Sequence, residues 1–226
     1  MIGKRKVLLR VKHLKQGWCG ISPEVHAYLI HLIQHKDRIV LYAGNIGKKQ
    51  GLELILDVAE RLKDNTSVRF LMVGTGAHAD VLKSDAAARE LTNVHFKSLQ
   101  PWKYVPAMLA MADVHLIVQK HGAADAVLPS KLTNILSVGG HAIVTAEENT
   151  ELGGLEKNFP GIYNRVEPEN AELFSKVLRT LLEEDLSLPN QTARNYAVEY
   201  LSENKVLSRF ENDLKKICEL NNVRYE

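Results

Sequence analysis

Short apolar runs alternate along this chain with amphipathic segments, and each run breaks into a loop bearing glycine or lysine. Ile39–Tyr42, Val68–Val73, Val94–Phe96, Val114–Val118 and Ala142–Thr145 are rich in Val, Ile, Leu and Phe and too short for helices. Between the first two, Leu52, Ile55, Ala59 and Leu62 recur at helical spacing opposite Glu53, Asp57, Glu60 and Lys63. Further helices are expected over Ala79–Glu90 and Tyr104–Ala112. Strands and helices alternating at this spacing give an α/β fold, a doubly wound parallel sheet of Rossmann-like type.

Ligands on such sheets bind at the carboxyl ends of the strands. The loops there are Gly44–Gly51, Gly74–His78, Ser98–Pro101, Gln119–Lys131 and Ala146–Gly154, which hold most of the glycines and many of the lysines. The fourth leads into Leu128-Pro-Ser-Lys-Leu-Thr-Asn-Ile-Leu136, a helix start closed by Gly139-Gly140. Proline is tolerated in a first helical turn, and Ser130 is a capping residue type. Leu132, Ile135 and Leu136 give this helix a buried face. Its first amides, with Ser130 and Lys131 beside them, suit an anion, most simply a phosphate.

The remaining sequence bounds the function more loosely. At 226 residues and 45% hydrophobic, the chain can bury one full α/β core. Residues 1–38 carry eight Lys and Arg against Glu24 and Asp37, about +6 within a net charge of +2. This basic leader reads as a linker remnant, with contact to an anionic membrane surface as the alternative. His26, His31 and His35 fall on a helix expected to open at Ser22; His31 and His35 have the i, i+4 spacing that can grip a metal, but the zinc-protease Glu and a third ligand are missing, so ordinary helix histidines are expected. No metal and no cofactor is expected. Cys19 and Cys218 form no disulfide framework, and no signal-peptide core is evident, so a cytoplasmic setting is expected. Nucleic acid is not expected as a partner, because the basic segment lacks interleaved aromatics beyond Trp18. Towards the end, Phe174, Val177, Leu178 and Leu181, and then Leu207, Phe210, Leu214 and Ile217, read as faces of helices covering the sheet.

Two glycine motifs bear on the ligand. Gly44-Asn-Ile-Gly-Lys-Lys-Gln-Gly51 is not a P-loop, because no Gly-Lys precedes Ser or Thr. Gly74-Thr-Gly-Ala-His-Ala79 matches the dinucleotide fingerprint, but the strand end that should carry a ribose-binding acid reads Phe96-Lys-Ser98. Asp125, Glu147, Glu148 and Glu151 lie in the ligand loops and suit sugar hydroxyls or solvent equally.

Tyr42-Ala-Gly-Asn-Ile-Gly47 with Gln50-Gly-Leu52, Val73-Gly-Thr-Gly76 and Ala112-Asp-Val-His-Leu116 resemble the donor half of a retaining GT-B glycosyltransferase of the family 4 type. Ala124–Leu136, Thr145-Ala-Glu147 and Thr150-Glu-Leu-Gly153 resemble the colanic-acid biosynthesis glycosyltransferases, a fucosyltransferase kind, over about residues 38–218. The resemblance implies the C-terminal half of a GT-B fold: a donor domain over 39–226 after the leader 1–38. It implies a nucleotide-diphosphate sugar as donor, GDP- or UDP-linked and GDP-fucose by the closer likeness. The implied acceptor is a lipid-linked oligosaccharide of bacterial exopolysaccharide synthesis, with peripheral contact at the inner membrane.

Carried over by position, Gly44, Asn45, Gly47, Lys48, Lys49, Ser130 and Lys131 would hold the donor diphosphate. Gly74, Gly76, Leu99, Asp125, Asn134 and Glu151 would line the nucleoside and sugar. The sequence departs from the wider family in having Asn134 in place of a second Glu, and Asn45 and Gln50 in place of an Arg and a Lys. No catalytic side chain is assigned. An N-terminal acceptor domain has no counterpart in the sequence, so the chain alone is expected to bind donor and transfer poorly. The alternative function is a non-catalytic nucleotide-sugar binding protein derived from such an enzyme. An epimerase or nicotinamide enzyme is the third reading.

Overall fold

A computed structural model describes residues 37–122 and 129–220. The histidine-bearing helix expected from Ser22 lies outside the described residues. Six strands, β1 (Arg38–Ala43), β2 (Val68–Val73), β3 (Val94–Lys97), β4 (Val114–Ile117), β5 (Ala142–Thr145) and β6 (Asn164–Val166), form one sheet in the order β3-β2-β1-β4-β5-β6. Every pairing is parallel, with Val40 beside Val114 and Tyr42 beside Met72. Helices α1 (Glu53–Arg61), α2 (Ala79–Ala88), α3 (Val105–Met111), α4 (Ser130–Ser137) and α5 (Glu151–Asn158) connect the strands in turn. Helices α6 (Ala171–Glu183), α7 (Gln191–Tyr196), a π-helical segment (Ala197–Leu201) and α8 (Glu203–Leu220) follow.

Successive strand residues point to opposite faces, and the core divides accordingly. Val40, Tyr42, Phe70 and Met72 pack with Ile55, Leu56 and Ala59 of α1 and with Phe174, Leu178 and Leu181 of α6. Ile39, Leu41, Leu71 and Val73 face the other way, against Met108 and Met111 of α3. With both faces covered, the central strands read as continuous apolar runs rather than alternating ones, which is why they were legible.

Three elements differ from the sequence expectation. Strand β6 was not foreseen: it is three residues long and buries only Val166 fully, so it carries almost no apolar signal. The expected loop Ala146–Gly154 ends early, because Thr150 caps α5 by accepting the Gly153 amide at 3.2 Å. Helix α8 does not cover the sheet. Leu207, Phe210, Leu214 and Ile217 are 57%, 62%, 41% and 53% exposed, against 0% for Phe174. Helical spacing showed an apolar stripe but not what lies against it.

Candidate functional site

Strands β1 and β4 are neighbours although three crossovers separate them in sequence. Strand order reverses between them, and this opens a crevice beyond their carboxyl ends. The loop leaving β1 is built on its neighbour. Gly44 N donates to Val73 O at 2.9 Å, Ile46 N to Thr75 O at 2.9 Å, and His78 N to Ile46 O at 3.1 Å. A Cβ on Gly74 would collide with the Gly44 carbonyl, and one on Gly76 with the Ile46 backbone. Gly74 and Gly76 thus permit the close approach of the two loops and hold the first in place.

Past Gly47, Lys48–Gln50 make one 3-10 turn that ends at Gly51 with φ 65°. Lys120 crosses over Gly51, with its Cγ 2.7 Å from where a Cβ would stand. Glu53 opens α1 and meets His78 Nε2 at 2.7 Å, tying the two glycine loops together. Burial acts to raise the Glu53 carboxyl. Its backbone and His78 hydrogen bonds and the charges of His78 and Lys120 outweigh this and hold it below the usual range.

Across the crevice, Pro129 takes the N-cap position of α4 and Ser130 is the first helical residue. Ser130 therefore does not cap the helix as its residue type suggested. A helix's first amides have no i−4 partner within it; here Leu132 N donates to Pro129 O at 2.8 Å, and among the described residues the N-cap makes no side-chain bond to the amides that follow it. At the other end Gly139, at φ 63°, closes the helix, with Gly140 N donating to Ile135 O at 2.9 Å.

Lys131, one residue into α4, reaches back over β1. Its Nζ lies 4.6 Å from the centroid of the Tyr42 ring and donates to Tyr42 Oη at 3.3 Å. It stands 3.4 Å from the place a Cβ on Gly44 would occupy. Burial pushes its ammonium below the ordinary lysine range, and no carboxylate offsets that among the described residues. A half-buried cation whose described surroundings hold no counter-charge bears a desolvation cost, and at the mouth of a crevice it is suited to an anion.

The crevice itself is a cavity of about 560 Å³ whose lining includes Lys49, Gln50, Gln119, Lys120, His121 and Lys131. Its rim is held by His121 Nδ1 at 3.0 Å from Glu147 Oε1, which also accepts the Gly122 amide at 3.1 Å. The Glu147 hydrogen bond raises the His121 imidazole above its usual range. In return, the bonds from His121 and Gly122 lower Glu147.

The structure gathers Lys49 and Lys131 on this cavity, with Gly44 beside Lys131, Gly47 opening the turn and Lys48 and Asn45 exposed on the same loop. Leu99, Asn134 and Glu151 are exposed and do not line it. Asp125 lies outside the described residues. Sequence reasoning did not single out Tyr42, Lys120 or His121 as site residues. For Lys120 and His121 the signal was there, in the polar Gln119-Lys-His-Gly122 following the buried strand Val114–Ile117. Tyr42 looked like any other strand residue.

A family profile described as glycosyl transferases group 1 matches residues 30–199. The chain belongs to the group 1 glycosyltransferases. Among relatives in this family, it is 50% identical over 179 residues to WcaI of Escherichia coli K12, a protein named as a colanic acid biosynthesis glycosyl transferase. It is 24% identical over 185 residues to a glycosyltransferase, WbjE, of Pseudomonas aeruginosa. These matches take in 79% and 80% of this chain but 43% and 46% of the relatives, so the chain spans less than half of their length.

Solved structures share the fold. Anabaena Alr3699/HepE in complex with UDP superposes with TM-score 0.71 at 13% identity, covering 93% of this chain and 55% of that one. A glycosyltransferase from Rickettsia africae gives 0.71 at 16% identity, covering 88% and 53%. The group 1 glycosyltransferase chain is thus a Rossmann-like domain of the GT-B type, as its sequence implied. Among its described residues, no helix is long and apolar enough to cross a membrane.

Proposed function

We propose that this chain is the donor-binding half of a glycosyltransferase, holding the diphosphate of a nucleotide sugar in the β1/β4 crevice. The observation that carries the reading is Lys131: a half-buried ammonium without a counter-charge among the described residues, set between the glycine loop and the first turn of α4. When the bond from sugar to diphosphate breaks, negative charge grows on the leaving phosphate. Fixed donors aimed there stabilise that charge more than the ground state. Lys131, the α4 amides and Lys49 are the donors in this reading, and Lys120 reaches the same cavity. The acceptor hydroxyl takes the sugar as the nucleoside diphosphate leaves.

The finer proposal is a retaining transfer, with fucose from GDP-fucose passing to a lipid-linked oligosaccharide in exopolysaccharide synthesis, at the inner membrane. It is supported by the 50% identity to the colanic acid protein. Calorimetric titration with GDP, UDP, GDP-fucose and NADPH tests the proposal. Binding of one diphosphate series, weakened at least tenfold by Lys131→Met and less by Lys49→Ala, is the expected result. Binding of NADPH alone would overturn it.

A further inference from the structure

The strand that feeds the glycine loop carries, one residue before its end, a tyrosine that touches both halves of the anion site. Tyr42 is fully buried. Its ring faces the Lys131 ammonium, and its hydroxyl accepts a hydrogen bond from Lys131 Nζ at 3.3 Å while donating one to the Asn45 carbonyl at 2.6 Å. The side chain thus spans from β1 to α4 on one side and to the loop Gly44–Gly47 on the other.

Each contact bears on anion binding. The ring's negative face attracts a cation without neutralising it, so the ammonium keeps its full charge for a ligand where a carboxylate would have consumed it. The single bond to Tyr42 Oη fixes one of three ammonium protons and leaves two to donate. The bond to Asn45 turns that carbonyl towards the buried hydroxyl, and so away from any anion lying on the loop's outer side. Burial lifts the phenol above the ordinary tyrosine range, which keeps it a neutral donor at every working pH.

We propose that Tyr42 is a positioning residue for diphosphate: it holds the Lys131 ammonium charged and aimed over Gly44, and it orients the glycine loop around the same anion. The inference rests on the donor-site reading above and names the residue that organises that site.

The test uses the full chain with Tyr42→Phe, Tyr42→Leu, Lys131→Met and the double variant Tyr42→Phe/Lys131→Met. The probes are inorganic pyrophosphate, UDP and GDP, and the nucleosides uridine and guanosine. Tyr42→Phe keeps the ring and loses one hydroxyl. It removes the bonds to the Lys131 ammonium and to the Asn45 carbonyl, neither of which touches the ligand directly, and affinity for pyrophosphate and the diphosphates should fall about fivefold. Tyr42→Leu, losing ring and hydroxyl, should fall further. Nucleoside binding should not change in either, and Tyr42→Phe should cost less diphosphate affinity in the Lys131→Met background than alone, because only its hold on the glycine loop is then left to lose. The Lys131 ¹³Cε resonance, followed against pH, should titrate at lower pH in Tyr42→Leu, a response that a purely packing role does not produce. Unchanged pyrophosphate affinity in Tyr42→Phe, with binding lost in Lys131→Met, overturns this inference alone. Equal losses for nucleosides and diphosphates also overturn it. Failure of the unaltered chain to bind any phosphate probe overturns the donor-site reading and this inference together.

Discussion

At the scale of single residues, this site trades stability for charge. Lys131 is held over an aromatic ring in a half-buried place where an apolar side chain of similar length would pack as well. Lys131→Met is therefore expected to keep or raise the melting temperature while weakening diphosphate binding, a combination that thermal melts and calorimetry on one preparation will show. The pH dependence follows from the direction of the Lys131 shift, which is downward because of burial. Below its folded-state pKa the group is charged in both folded and unfolded chains, and the burial penalty is present in full. As pH rises from that value towards the ordinary lysine range, the folded chain sheds the proton first and the penalty is relieved. Anion affinity runs the other way, because the ligand needs the ammonium. Diphosphate binding should weaken on an alkaline limb that begins below the ordinary lysine range, and Lys131→Met should lack that limb.

At the scale of elements, glycines of similar appearance in the sequence divide by what surrounds them. Gly153 and Gly154 are adjacent on α5. A Cβ on Gly153 would collide with the carbonyls of Glu147 and Glu148, whereas one on Gly154 would meet nothing within 4 Å. Gly154→Ala should stabilise the fold by about 0.5–1 kcal/mol, as alanine does in a helix interior. Gly153→Ala should cost about 1–3 kcal/mol through overpacking. Urea titrations of the two variants check both signs. The same reasoning applies to the glycine loops. The resemblance set Gly44 and Gly47 at the donor diphosphate and Gly74 and Gly76 at the nucleoside and sugar; in the fold, a Cβ on Gly74 or Gly76 would meet the backbone of Gly44 or Ile46. A sequence marks where backbone must come close to something, and only the fold says whether that something is a ligand or another loop.

At the scale of the whole molecule, burial separates two helices that look alike in sequence. Helix α6 and helix α8 both carry apolar residues at helical spacing, but Phe174 is fully buried and Phe210 is 62% exposed. Phe174→Ala should cost about 3–5 kcal/mol. Phe210→Ala should change stability by no more than about 0.5 kcal/mol. Chemical denaturation of both variants will distinguish them, and a large loss at Phe210 would mean that α8 is packed against something in solution.

The alternation of the first five strands with their helices, the parallel sheet and the loops at the strands' carboxyl ends were determined by the sequence alone. Apolar runs buried on two faces and helices with one apolar face are local patterns that survive without tertiary context. The closure of α4 at Gly139 was legible for the same reason, since a left-handed backbone position calls for glycine wherever it occurs. The tertiary structure decided the rest. It set β1 beside β4, which turns two distant loops into one cavity, and it carried Lys131 across 89 residues of sequence to the hydroxyl of Tyr42. It decided that the α8 stripe faces outward and that a three-residue segment completes the sheet as β6. Contacts between residues far apart in sequence leave no periodic trace, and a strand with little apolar surface is specified by the neighbour it pairs with.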